Sequence, residues 1–242
     1  MSALCARMFL RSLFLQTGFS DESRQALGFA WALDPALLSA QARARHLESF
    51  NTNPYTAGLV LGTTAALEAR AAGTPASASR VLALKSAAGA SLAGAADALF
   101  WGSLRPLAAA LAVFVAAVFH RVGLPHALFW GTFAGLAVFN APALAARWIG
   151  LSKGLAEGEG ALVWAGGLPV QTWIRRSRLA AVILLIAAAG LVGASGSVAT
   201  PLFAAVAFTA GWLLSLVVGG PLRLVAVAGL LGVAAAAGGW TL

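Results

Sequence analysis

Beyond Arg178 the chain carries a single charged residue, Arg223, and the stretches 179–199 and 201–219 carry none. A small protein in water lacks the polar surface to cover two such runs. A bilayer needs no cover, and each run is close to the roughly 20 apolar residues with which a helix crosses about 30 Å of hydrocarbon. Residues 224–240 form a third, slightly short run, and Pro201 and Pro221 stand where helices would begin, a position that tolerates a missing N–H. The balance of the chain agrees: 60% of its 242 residues are hydrophobic and 10% are charged, against about 25% charged in soluble domains.

Upstream, residues 106–119 and 122–146 read as two further spans, with His120, Arg121 and His126 in a short loop between them. Gly58 and Gly62 make a GxxxG step, as do Gly131 and Gly135. Small residues at that spacing let helices approach closely, although in a chain with 27 glycines chance accounts for the spacing about as well. Arg105 precedes the first of these spans, Arg147, Lys153, Arg175, Arg176 and Arg178 follow the second, and Arg223 lies between the last two. Placing these in the cytoplasm leaves Arg121 outside and predicts a cytoplasmic N-terminus and an external C-terminus. The net charge of +8 then orients the protein and meets anionic headgroups. Nucleic-acid binding would want the cations clustered on a solvated domain with aromatic platforms, and none is visible.

The first 55 residues mix both signs of charge. In 9–19, Leu10, Leu13, Phe14 and Thr17 fall at helical spacing with Arg11, Ser12 and Gln16 elsewhere, an amphipathic pattern suited to a membrane surface or to packing on a membrane domain. Arg11 interrupts the apolar stretch, and no small-residue cleavage site follows, so this segment does not read as a secretory signal. Ser20-Asp21-Glu22 predicts a helix start, Asp34-Pro35 its end, and residues 36–49 a second helix. Residues 71–80 read as a loop between two apolar pieces, 56–67 and 81–104. Those pieces place Glu68, Lys85, Asp97 and Arg105 at membrane depth, where charge is costly and marks either function or a buried pair, Asp97–Arg105 or Glu68–Lys85. Re-entrant hairpins would tolerate them.

The sequence therefore predicts an all-α integral membrane protein. Amphipathic cytoplasmic-face helices occupy 1–55, re-entrant hairpins 56–105, a transmembrane pair 106–150, a polar basic loop 151–178 and C-terminal transmembrane helices 179–242, about five spans in all. Trp148, Trp164 and Trp173 read as interface anchors. The lone Cys5 excludes an internal disulfide and a multi-cysteine metal site. An intramembrane hydrolase would want a base or paired acids in its spans, but 179–219 holds no His, Asp or Glu, and Ser195 and Ser197 have no evident base.

Three stretches carry a resemblance: Phe9–Leu33 (FLRSLFLQTGFSDESRQALGFAWAL), His46–Glu68 with its core Phe50-Asn51-Thr52-Asn53-Pro54-Tyr55, and Leu92–Pro106 (LAGAADALFWGSLRP). Their order and spacing resemble the IID subunit of the mannose/fructose/sorbose phosphotransferase permeases over roughly residues 9–150, with a weaker echo in Phe139-Asn140, Arg147 and Gly150. The resemblance implies a non-catalytic subunit of the bacterial inner membrane. With a IIC-type subunit it would form the hexose channel, while cytoplasmic IIA and IIB components relay phosphate to the sugar. No cofactor or metal is implied, and the assembly is a hetero-oligomer in membrane lipid. His46, His120 and His126 lack the setting of a phosphate carrier, in keeping with a D subunit that is not itself phosphorylated.

Sugar binding needs amides, carboxylates and an aromatic face. On the family's pattern the substrate-binding residues are Asn51, Thr52, Asn53 and Tyr55, with Pro54 breaking the helix between them. Glu68, Asp97, Trp101 and Arg105 join them. The simpler alternative has Asn51 and Thr52 capping the following helix. The chain departs from the family pattern at Asn53, Ala69, Ala90 and Ala96 and in a shorter C-terminal part. Asn53, Ala69, Ala96 and the shorter C-terminal part motivate the rival reading, a degenerate regulatory or scaffolding relative that moves no sugar.

Overall fold

A computed structural model describes residues 2–37, 39–71 and 74–193. The expected spans at 201–219 and 224–240, the end of that at 179–199, and the C-terminus lie outside the described residues. The elements in order are α1 (Ser2–Ser12), α2 (Ala26–Leu33), a 3-10 turn (Asp34–Ala36), α3 (Ala40–Arg45), α4 (Ala57–Arg70), α5 (Pro75–Leu99), a π-helical turn (Phe100–Leu104), α6 (Arg105–Arg121), α7 (Ala127–Glu157), α8 (Glu159–Gly166) and α9 (Val170–Gly193). Among the described residues, two helical stretches are long and apolar enough to cross a membrane, Pro75–Arg121 with 47 residues and Ala127–Glu157 with 31. The chain forms two compact units, one of Met1–Asp97 with Pro142–Pro169, the other of Ala98–Ala141 with Val170–Leu242.

The first unit is built around aromatic and aliphatic side chains. Met8, Leu15, Phe29, Leu33, Phe50, Val60, Leu61 and Leu151 are buried together, with the Phe29 and Phe50 rings 4.4 Å apart. Helix α4 crosses α7 at glycines on both sides. A Cβ on Gly58 would strike the Arg147 carbonyl, one on Gly150 would lie 2.9 Å from the Leu59 nitrogen, and one on Gly154 would lie 2.8 Å from the Gly62 carbonyl carbon. The small-residue step at Gly58 and Gly62 thus meets a matching step at Gly150 and Gly154, and the backbones touch. At the end of α7, Gly158 turns the chain with φ +62, a conformation that glycine adopts without strain. Its carbonyl accepts from Thr63 Oγ1 at 3.2 Å.

In the second unit α6 packs on α9 through small residues, Ala110 against Ala181 and Leu185, and Ala117 against Ala188. The step at Gly131 and Gly135 also makes contact, since a Cβ on Gly135 would lie 2.7 Å from the Ala108 carbonyl and 3.0 Å from the Ala112 Cβ. Large apolar side chains point outward instead. Leu128, Phe129, Phe133 and Leu136 of α7 and Leu179, Ile183 and Ile186 of α9 are exposed. A bilayer is the solvent for which that surface is suited.

Several boundaries differ from those the sequence suggests. Helix α2 starts at Ala26 rather than Ser20. The Ser20 hydroxyl caps a tight turn, accepting from the Ser23 N–H at 3.1 Å. Arg24 then takes φ 57, and the Gln25 N–H is drawn to the Phe50 carbonyl at 2.8 Å. The amphipathic stripe is real but short in helix. Helix α1 ends at Ser12, yet Leu10, Leu13, Phe14 and Thr17 are all exposed while Cys5, Met8 and Leu15 are buried. The loop expected over 71–80 gives way to helix from Pro75, a residue whose fixed φ suits a first helical turn. The expected polar loop over 151–178 is mostly helical. Its charges sit on helix surfaces, as with Lys153 and Glu157 paired at 2.7 Å one turn apart. The end of α2 at Asp34-Pro35 and the break between α6 and α7 fall where the sequence places them.

Candidate functional site

Residues 51–53, in the segment joining α3 to α4, lie outside any helix and are fixed from two sides. Gln25, buried at the start of α2, donates its side-chain amide to the Thr52 carbonyl at 2.8 Å and accepts the Thr52 N–H at 3.0 Å. The Thr52 hydroxyl donates to the Gly89 carbonyl of α5 at 3.0 Å. A Cβ on Gly89 would lie 2.6 Å from the Phe50 ring, so glycine lets the segment lie against the helix. Thr52 is thereby satisfied on every polar atom.

Asn53 opens the turn over residues 54–56 that leads into α4. Its side-chain oxygen accepts the Tyr55 N–H at 2.9 Å, and its carbonyl accepts the Thr56 and Ala57 N–H groups at 3.2 and 3.0 Å. Asn53, rather than Asn51 or Thr52, is therefore the residue whose side chain caps the turn leading into α4, while Thr56 is the residue next to the helix and caps it with no side-chain bond. Its Nδ2 donates to Asp97 Oδ1 at 2.8 Å. Asn53 is buried, while Asp97 and Asn51 are exposed and Tyr55 is half-buried. The second Asp97 oxygen has no bond to any described residue. The arrangement thus presents an exposed carboxylate on α5 steered by a buried amide from the segment before α4.

Glu68 lies elsewhere, near the end of α4. Both its oxygens are engaged by the Arg45 guanidinium, with Nε donating at 2.9 Å, and His46 Nε2 donates to Oε1 at 2.8 Å. The Arg45 and His46 hydrogen bonds hold its carboxyl below the usual range even though burial, the largest influence, opposes them. His46 is fully buried, and burial pushes its imidazole from 6.5 to about 4. It is neutral, and with Nε2–H given to Glu68, its buried Nδ1 has no partner among the described residues. The expected Glu68–Lys85 pair does not form. Lys85 instead donates to the His46 carbonyl at 3.3 Å and sits 5.1 Å from the Phe29 and Phe50 ring centres, where the ring faces stabilise a cation. Arg147 is likewise buried and donates to the Ser12 carbonyl at 2.6 Å, closing the C-terminal end of α1.

Trp101 and Arg105 belong to the second unit. The Arg105 guanidinium lies 5.7 Å above the Trp101 ring, and Phe139 is 6.2 Å from it. Of the expected anchors, Trp148 is exposed and meets the Phe9 ring edge-on at 5.2 Å, Trp173 is exposed, and Lys153 sits 4.9 Å over Trp164. Gln25 was the residue that sequence reasoning did not single out, although it stands in the RQALGF motif.

The family model described as the PTS system mannose/fructose/sorbose family IID component matches residues 2–167. The chain belongs to that family. It is 34% identical over 161 residues to the mannose-specific EIID component of Escherichia coli K12, covering 62% of this chain and 54% of that protein. Identity to the sorbose-specific EIID component of Klebsiella pneumoniae is 36% over 169 residues, covering 66% and 59%. The fructose permease IID component of Bacillus subtilis is 30% identical over 160 residues, covering 62% and 55%. The chain thus spans little more than half the length of these relatives. Among solved structures, it is similar to a chain of the cryo-EM structure of the mannose transporter ManYZ with microcin E492. There the TM-score is 0.57 at 28% identity, over 99% of this chain and 97% of that one. A second chain, described as a membrane protein, gives a TM-score of 0.62 at 25% identity over the same shares.

Proposed function

We propose that this chain is the D-type membrane subunit of a mannose-family phosphotransferase permease. With a C-type subunit it forms the path by which a hexose enters, and cytoplasmic A and B components phosphorylate the sugar on arrival. The observation that carries this reading is the Asn53–Asp97 contact, in which a buried amide holds a carboxylate at an exposed face of an apolar helix. Charge at that depth is costly and is kept where it serves transport. In this reading Asp97, Asn51 and Tyr55 meet sugar hydroxyls, while Thr52 and Asn53, buried and bonded within the fold, position them. Trp101 and Arg105 offer a ring face and a cation as a separate sugar-contacting group. Glu68 shapes the loop through Arg45 and His46. The chain lies in the bacterial inner membrane with its N-terminal helices at the cytoplasmic face, and the basic residues 175–178 stay on that side.

Co-purification in mild detergent tests the assembly. The tagged chain should bring down a C-type permease subunit in fixed stoichiometry. Recovery of the chain without one, or with signalling proteins in its place, would favour a regulatory relative instead.

A further inference from the structure

Helix α6 opens on a break in its own ladder. In a regular α-helix the N–H of residue 106 would bond the Gly102 carbonyl, but Pro106 has none. The backbone widens just before it into the π-helical turn Phe100–Leu104, where the Arg105 N–H reaches the Phe100 carbonyl. The fully buried Ser103 donates its hydroxyl to the Ala98 carbonyl at 2.7 Å. The Gly102 carbonyl receives Arg178 Nε from α9 at 3.1 Å. Single π turns inside helices are uncommon and gather at functional sites. This one carries Trp101 and leads into Arg105, whose guanidinium lies 5.7 Å over that ring.

We propose that Arg178 is a positioning residue. Its Nε–H, given to the Gly102 carbonyl, holds the π turn in the form that sets the Trp101 ring beneath Arg105. The functional part of this inference rests on the reading of Trp101 and Arg105 as sugar-contacting residues. The role asks for a donor at one point in space and not for a charge, which separates Arg178 from its exposed neighbours Arg175 and Arg176.

Glutamine distinguishes the two, because its amide nitrogen is bonded to Cδ as Nε is in arginine. Lysine places a methylene there and carries its charge one atom further. The full chain is expressed with a C-type subunit and phosphocarriers in a host lacking its own D subunit. R178Q, R178K and R178L are compared for initial sugar uptake, at membrane levels equalised by immunoblot. In parallel, the fluorine NMR signal of 5-fluorotryptophan at position 101, assigned by Trp101→Phe, reports the ring's surroundings. The clamp predicts R178Q within about twofold of the parent and with an unmoved signal. R178K and R178L should lose roughly 5–10-fold in uptake, the scale of one hydrogen bond, and shift the signal. Wild-type uptake in R178K with failure in R178Q would show that only charge matters, and an unmoved signal in R178L would remove the clamp. Should R178L not reach the membrane, the contrast between R178Q and R178K decides. If no sugar passes even through the parent complex, the transport reading fails, and the fluorine signal alone tests the clamp.

Discussion

The Asn53 side-chain amide donates to Asp97 Oδ1 at 2.8 Å while its own oxygen accepts the Tyr55 N–H in the turn that leads into helix α4. One side chain therefore couples the loop after α3 to the exposed carboxylate on α5. Asn53→Asp would bring a second carboxylate against Asp97 while still able to accept the Tyr55 N–H. We expect uptake to fall by about tenfold or more with the membrane level of the protein little changed. A radiolabelled-hexose assay with an immunoblot checks both.

Gln25→Leu leaves the Thr52 N–H and carbonyl without their buried partners. The expected loss is about 2–4 kcal/mol of stability in detergent, since each unmet buried group costs about 1–3 kcal/mol. Thermal unfolding monitored by size-exclusion fluorescence measures it.

Glycine substitutions should split sharply by place. Gly154→Ala sets a Cβ 2.5 Å from the Thr63 nitrogen and should destabilise by about 1–3 kcal/mol. Gly94 in α5 has nothing within 4 Å of a built Cβ, and Gly94→Ala should be neutral or stabilising by up to about 1 kcal/mol. The same melting assay compares them.

Acid should weaken the first unit through His46. Its imidazole titrates near 6.5 in the unfolded chain and at about 4 when folded, so the unfolded state binds the extra proton between those values. Stability is full above pH 6.5 and falls as the pH drops toward 4, by about 3 kcal/mol over the window. Glu68, held below its ordinary 4.5, adds to the loss at the acid end. His46→Gln should flatten the slope between pH 6.5 and 4 in denaturant titrations.

Much of this architecture is legible in the sequence for plain reasons. Long uncharged runs force a membrane, Asp34-Pro35 must stop a helix, and His120 to His126 interrupts an apolar pattern. The GxxxG steps looked no better than chance because the sequence does not show that Gly58 and Gly62 face Gly150 and Gly154, some 90 residues on. The start of α2 was misplaced because Ser20 caps a turn as readily as a helix, and Arg24 then takes a left-handed conformation that no pattern announces. Asn51, Thr52 and Asn53 were legible as a polar break. Which of them caps the turn into α4, and that Gln25 grips Thr52 from both sides, depends on contacts between distant elements. The partner of Glu68 was equally hidden, since helix spacing says nothing about which of Arg45, His46 and Lys85 folds back onto it.

The most direct test of the central claim is hexose uptake in a host deleted for its own D subunit, supplied with this chain, a C-type subunit and the phosphocarriers. The account predicts uptake with phosphorylation of the sugar for the parent chain, and at least about tenfold less for Asp97→Asn, whose neutral amide cannot accept on both sides. Equal uptake by the parent and Asp97→Asn would contradict the role given to the Asn53–Asp97 contact. No uptake by the parent, with a C-type subunit bound and the chain in the membrane, would contradict transport itself.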